Sequence, residues 1–206
     1  MVPARKLGLL AAAGLAVVSI AYLVVAGMAV ADAGLEAPVV DPALAVMEVL
    51  TLLAALLLVF LMAAVHAVAN PAQRIFGRLA LAFAVIMAGL TSAVHFVALT
   101  AGRQPGPFVL EWPSTWYALE LLAWDVFLGL SLLSAAAVFP GPGLNAGARW
   151  TLAVSGALCL AGVVGPVLGD MALQRIGILG YGVGLPVASL VLVAVFRRER
   201  IDAEAA

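Results

Sequence analysis

Charge is scarce in this chain. Of its 206 residues, 10% are Asp, Glu, Lys or Arg, where soluble domains carry about 25%. That scarcity excludes a soluble globule, a disordered chain and a fibrous protein. The formal net charge is −1, and no basic stretch exceeds Arg197-Arg198-Glu199-Arg200, so a nucleic-acid partner is excluded as well. A single cysteine, Cys159, leaves no intrachain disulfide to form. Two histidines, His66 and His95, cannot alone build a zinc site. No metal and no cofactor are expected.

Apolar residues fill the chain instead, at 66% with a mean hydropathy of +1.19. A membrane-spanning helix needs about 20 mostly apolar residues. Six stretches qualify, at roughly 7–30, 43–69, 75–101, 115–139, 149–168 and 171–196. Turn-forming residues separate them: Asp41-Pro42, Asn70-Pro71, Gly102 to Pro107, Pro140-Gly141-Pro142-Gly143 and Gly169-Asp170. The expected fold is all-α, a single polytopic membrane bundle over residues 1–206 made of six transmembrane helices.

The basic residues set an orientation. Arg5, Lys6, Arg74, Arg78, Arg149, Arg197, Arg198 and Arg200 fall on one side, and Arg103 and Arg175 on the other, with Asp32, Glu36, Asp41, Glu111 and Asp170. The positive-inside bias then places both termini in the cytoplasm, as an even number of spans requires. The first apolar run could be mistaken for a signal peptide, but it is far longer than a signal core of about 7–15 residues. Two three-helix halves would be oppositely oriented, as in inverted-repeat transporters, yet 7–101 and 115–196 show no internal match. The alanine, leucine and valine content fits a bacterial inner (plasma) membrane.

Ionisable groups at membrane depth are costly and are functional candidates by default. Glu48 lies near the outer end of the second helix. His66 lies eighteen residues on, which in a straight helix is five turns and the same face. His95 lies near the outer end of the third helix, and Glu120 at a similar depth in the fourth. These three consecutive helices therefore carry Glu48, His95 and Glu120 in one layer, where neighbouring helices would let them converge. Coupled acids beside an imidazole suit proton relay or general acid/base chemistry; separate interhelical hydrogen bonds are the plain alternative. Asp125 is turned about 140° from Glu120 and needs a different partner.

Seven of the fifteen aromatic residues lie between 108 and 139. An interfacial belt accounts for Phe108, Trp112, Trp116 and Tyr117. Trp124 lies deeper, and Trp116 and Trp124 flank Glu120 by one turn each way. Such rings beside a carboxylate suit a bound cation. The sixth helix contains Gly177, Gly180, Gly182, Gly184 and Pro186, and the fifth Gly162, Gly165, Pro166 and Gly169. These imply either tight packing of the two helices or a broken helix lining a substrate path. Asp170 and Arg175 are expected to form an outer ion pair or a pocket rim.

Asn70-Pro71-Ala72 spells the aquaporin tripeptide once, where two copies on half-helices are needed. Gly180-Tyr181-Gly182 lacks the pore helix and preceding residues of a potassium filter. Gly-x-Ser-x-Gly, His-Glu-x-x-His and a lysine in the last helix are all missing, so rhomboid, zincin and rhodopsin chemistry is excluded. The stretch Trp124-Asp125-Val126-Phe127-Leu128-Gly129-Leu130-Ser131-Leu132-Leu133, then Arg149 and Val154-Ser155-Gly156, resembles uncharacterised bacterial six-helix membrane proteins of unknown function. The resemblance covers the last 90 or so residues; it implies the topology and brings no activity.

The leading expectation is a small transporter or ligand-binding protein. It has a proton-linked site of Glu48, His95, Glu120 and Asp125, with Trp116 and Trp124 against a small amphipathic or cationic ligand. The alternatives are an intramembrane acid/base enzyme acting on a lipid or isoprenoid, and an accessory subunit without a ligand. The bilayer is the first partner; a homodimer or another membrane protein remains open.

Overall fold

Alanine, leucine and valine dominate each apolar stretch, and each stretch is helical in a computed structural model. The structure describes residues 3–34, 38–106 and 108–204, and side chains as far as Arg198 except that of Ala33. Glu36 and Pro107, used above for the charge pattern and a loop, lie outside the described residues. The first three helices are α1 (Pro3–Ala33), α2 (Ala43–Val68) and α3 (Arg74–Leu99), the last followed by a 3-10 turn, Ala101–Arg103. Helix α4 runs through Thr115–Leu121, a π-helical stretch Leu122–Leu128, and Gly129–Ala136. Helix α5 is Leu144–Gly162 and Val164–Leu168. Helix α6 is Met171–Ile178, a second π-helical stretch Leu179–Gly184, and Leu185–Glu204. No strand occurs among the described residues, and all six helices are long and apolar enough to cross a membrane.

Polar side chains begin several helices by accepting from free backbone N–H groups. Asp41 Oδ1 accepts from Ala45 N (3.1 Å), Ser114 Oγ from Tyr117 N (3.2 Å) and Asp170 Oδ1 from Ala172 N (2.9 Å). Gly169 ends α5 with φ +72°, a left-handed conformation that residues with a Cβ adopt at a cost.

Each helix packs on its neighbours in sequence, and α6 returns to α1. The result is an antiparallel ring with two ends. The distal end carries the α1–α2, α3–α4 and α5–α6 connections; the opposite end carries both termini. Inside lie Leu15, Leu58, Met62, Met87, Leu132 and Phe196, all under 2% exposed. Outside lie Val17, Leu56, Phe60, Phe96, Val167 and Leu168, each at least half exposed. Only 22–44% of the residues in the six apolar windows are buried. So much outward apolar surface suits hydrocarbon better than water.

Small residues set the helix separations. A Cβ on Gly156 would sit 2.7 Å from Gly129 O, joining α4 to α5, and one on Gly162 would sit 2.7 Å from Gly177 Cα, joining α5 to α6. Backbones this close meet without side chains between them.

Several boundaries differ from the sequence reading. Helix α1 is longer at both ends than 7–30, and α4 ends at Ala136 rather than 139. Helix α5 begins at Leu144, one turn and more before Arg149. Arg149 sits on the helix with its guanidinium 5.9 Å from the Trp150 ring centroid; a long basic side chain reaches outward without ending a helix. Helix α6 continues beyond 196 for the same reason. The buried stripe of α2 runs Glu48, Thr51, Ala55, Leu58, Met62, Val65. Its repeat is nearer 3.5 than 3.6, so the face drifts off His66, which is half-buried. Asp170 caps α6, and no ion pair joins it to Arg175. Five positions apart, the two do not share a face. Helix α6 is unbroken through its glycines, widened instead to a π turn that packs on α5.

Candidate functional site

Three helices contribute one polar cluster in the distal half of the ring. Glu48 stands in the second turn of α2, His95 a turn from the end of α3 and Glu120 in the second turn of α4. Because α2 and α3 run antiparallel, and α3 and α4 likewise, these positions share a layer. The side chains of Glu48, His95 and Glu120 are 6%, 9% and 17% exposed. His95 Nδ1 hydrogen-bonds Glu48 Oε2, and His95 Nε2 hydrogen-bonds Glu120 Oε1 at 2.7 Å.

Proton counting shows what this arrangement can do. A neutral imidazole has one N–H and one acceptor nitrogen, and a carboxylate has only acceptors. Bonds at both ring nitrogens therefore need two protons in the cluster. Either the ring is an imidazolium between two carboxylates, or it is neutral and one carboxyl holds the other proton. Both forms carry a net charge of −1, so the proton moves along the cluster without changing the buried charge. Glu120 Oε2 is buried and has no partner. A third proton there makes the whole cluster neutral; its loss restores the negative charge. Tyr22 on α1 and Tyr117 on α4 lie within the field of these carboxylates.

At the mouth of this layer, Arg103 pairs with Asp41 through both guanidinium nitrogens, Nη2 donating to Oδ1 at 3.0 Å and Nη1 to Oδ2. The pair ties the start of α2 to the turn after α3. The hydrogen bonds from Arg103 hold the Asp41 carboxyl below its ordinary value of 3.8.

Asp125 and Trp124 belong to a second cluster, on the π-helical stretch of α4. Asp125 is fully buried, and its Oδ2 accepts from Gln174 Nε2 on α6 at 3.3 Å. Gln174 Nε2 also donates to Tyr181 OH at 3.1 Å. The Trp124 ring rests on Tyr181 with centroids 5.5 Å apart. Asp125 Oδ1 and Trp124 Nε1 are buried without partners. Trp116 instead packs on Phe108, centroids 5.4 Å apart, so the two indoles expected around Glu120 have separate ring partners.

Gln174, Tyr22 and the Arg103–Asp41 pair do not stand out in the sequence, and Tyr181 does so only within the filter-like Gly180-Tyr181-Gly182. Gln174 and Tyr181 are seven residues apart, two helical turns on one face, but an amide and a phenol carry no charge to mark that face. Among the described residues no group of three or more His, Cys, Asp or Glu side chains is arranged to hold a metal ion. Comparison with protein-family models, curated proteins and solved structures finds no match. What the clusters do must be read from their chemistry.

Proposed function

We propose that this chain is a small transporter of the bacterial inner membrane that exchanges protons for an amphipathic or cationic ligand at Glu48, His95 and Glu120. Both termini face the cytoplasm, by the excess of basic residues at that end, and the cluster lies toward the outer leaflet. The observation that carries this reading is one buried imidazole bonded at both nitrogens to carboxylates from neighbouring helices. An arrangement of this kind is expensive at membrane depth, and ionisable groups kept there mark proton or ion paths. In the three-proton state the cluster is neutral and suited to an apolar surrounding. In the two-proton state its single negative charge attracts a cation. Alternation between the two states couples cation movement to proton movement in the opposite direction.

The test is flux into proteoliposomes. With the lumen acidic, vesicles carrying the protein should accumulate ethidium or tetraphenylphosphonium. Accumulation should collapse when nigericin dissipates the gradient and be lost in Glu120→Gln. Uptake indifferent to both the gradient and Glu120→Gln sinks the proton-coupled reading.

A further inference from the structure

Asp125 takes no part in the proton-exchange cluster, and its surroundings leave its charge unanswered. The side chain leaves the π-helical stretch of α4 and ends against α5 and α6, at 0% exposure. Two glycines leave it room. A Cβ on Gly162 would sit 3.2 Å from Asp125 Cγ, and one on Gly177 would overlap Oδ1. Oδ1 thus lies against glycine and has no hydrogen-bond partner. The titratable groups that bear on the carboxyl are Tyr117 on α4, Cys159 on α5 and Tyr181 on α6. Helix α3, packed beside the same stretch, adds none. None of these groups is basic, and among the described residues no ion pair includes Asp125.

Its one polar contact is Gln174. The amide nitrogen stands 3.3 Å from Asp125 Oδ2 and 3.1 Å from Tyr181 OH. As a donor, the amide gives an ionised carboxylate one long, uncharged hydrogen bond, which does not offset the lost hydration of a buried charge. Turning the amide over exchanges its nitrogen and oxygen and moves no other group. The oxygen then faces two groups able to donate to it, a protonated Asp125 and the Tyr181 hydroxyl. A carbonyl oxygen has two lone pairs and accepts both. A single proton on Oδ2 therefore removes the buried charge and gives each of the three side chains a hydrogen bond.

From this geometry we infer that Asp125 is a second proton-binding site of the chain, holding a proton on Oδ2 with the Gln174 amide oxygen as its acceptor while α6 is packed on α4 and α5. The proton is occluded in this packing. It leaves only when α6 parts from α4, because only then does water reach the carboxyl to solvate the charge left behind. The site uses no side chain of the Glu48–His95–Glu120 cluster, so it stands whether or not that cluster exchanges protons for a cation.

The experiment is infrared spectroscopy of the whole protein in nanodiscs at neutral pH, prepared with aspartate isotopically labelled at its side-chain carboxyl. A protonated carboxyl has a C=O band well apart from the carboxylate bands, and the label separates aspartate from Glu48 and Glu120. Asp125 is the one buried aspartate among the described residues. A labelled protonated band is expected, and Asp125→Asn should abolish it. Gln174→Leu should keep the band but move it to higher frequency, because the proton loses its acceptor. In heavy water the band should shift slowly, as exchange waits for the helices to part. Absence of a protonated aspartate band would show that Asp125 is ionised and overturn the proposal. A band that appears only in Gln174→Leu would overturn it too, since the amide would then be supporting a carboxylate. A band unmoved by Gln174→Leu, or shifted on mixing with heavy water, would contradict the acceptor or the occlusion. Should Asp125→Asn fail to fold, the labelled wild-type protein and Gln174→Leu still decide the matter. No flux is measured, so failure here is distinct from failure of the proton-exchange reading.

Discussion

An imidazole bonded at both nitrogens makes its two partners dependent on each other, and this sets what single substitutions at the cluster should do. His95→Ala removes the imidazole that joins two buried carboxyls, and breaking a buried pair in this way costs about 3–5 kcal/mol. Glu48→Gln and Glu120→Gln keep the shape but remove one proton position each. Because both act through the same ring, their effects should fail to add by about 0.5–3 kcal/mol in a double-mutant cycle. Thermal unfolding in detergent reads this, and additive effects would mean that His95 does not couple them. Asp41 behaves differently, being exposed. Its carboxyl lies below its ordinary 3.8 because Arg103 donates to it. A lowered folded-state value gives stability that is present above the unfolded value and is lost as pH falls through the folded one. The Arg103–Asp41 tie should therefore persist at neutral pH and open only in strong acid. A carboxyl-carbon NMR titration with the Asp41 midpoint at or above 3.8 would contradict it. Glu48, His95 and Glu120 were legible in the sequence because a charged residue in an apolar run stands out, and counting turns gives its depth. Gln174 and Tyr22 were not, because an amide or a phenol in such a run has no comparable contrast.

At the scale of elements, the two π-helical stretches and the glycines opposite them act together. Asp125 lies in one wide turn and Tyr181 in the other, and Gly162 and Gly177 let α5 and α6 approach beside them. A methyl on Gly177 would meet the Asp125 carboxyl and lie 3.3 Å from Gly162 Cα. Gly177→Ala should therefore cost about 1–3 kcal/mol by overpacking. Gly27, by contrast, has nothing within 4 Å of an added Cβ. Gly27→Ala should be neutral or stabilise by up to about 1 kcal/mol, the helix-propensity difference. Equal melting shifts for the two variants would show that the α5–α6 contact is looser than described. The existence of these helices was plain from apolar run length, whereas their widened turns were not. A π turn adds one residue to a hydrogen-bonded ring without changing composition, so the glycines could be read only as close packing or as a break. The helix ends were misjudged for a related reason. Charges mark where a chain meets polar surroundings, but the backbone hydrogen bonds of α5 and α6 continue past Arg149 and Arg197.

For the whole molecule, ring closure makes the distal half a single polar layer. Glu48, His95, Glu120, Asp125 and Gln174 come from α2, α3, α4 and α6, all on the side of the short connections at 41, 103 and 170. In the other half of the interior Leu58, Met62, Leu132 and Phe196 dominate the core, and the buried hydroxyls of Ser131 and Ser189 donate to backbone carbonyls. A path for protons through that half would have to be made by movement of helices, and alternating exposure requires such movement. The distal layer, on the proposed orientation, meets the outside, and that assignment depends on the terminal end being cytoplasmic. The chain provides its own silent background for testing this, since its single cysteine, Cys159, is buried. Ala72→Cys lies in the α2–α3 turn and Gln104→Cys after α3, both at exposed positions. In intact cells a membrane-impermeant maleimide should label Gln104→Cys and spare Ala72→Cys; in inverted vesicles the pattern should reverse. Labelling of both from one side would show that α3 does not cross the bilayer, and a reversed pattern would put the Glu48–His95–Glu120 layer at the cytoplasmic face, turning the proposed exchange around.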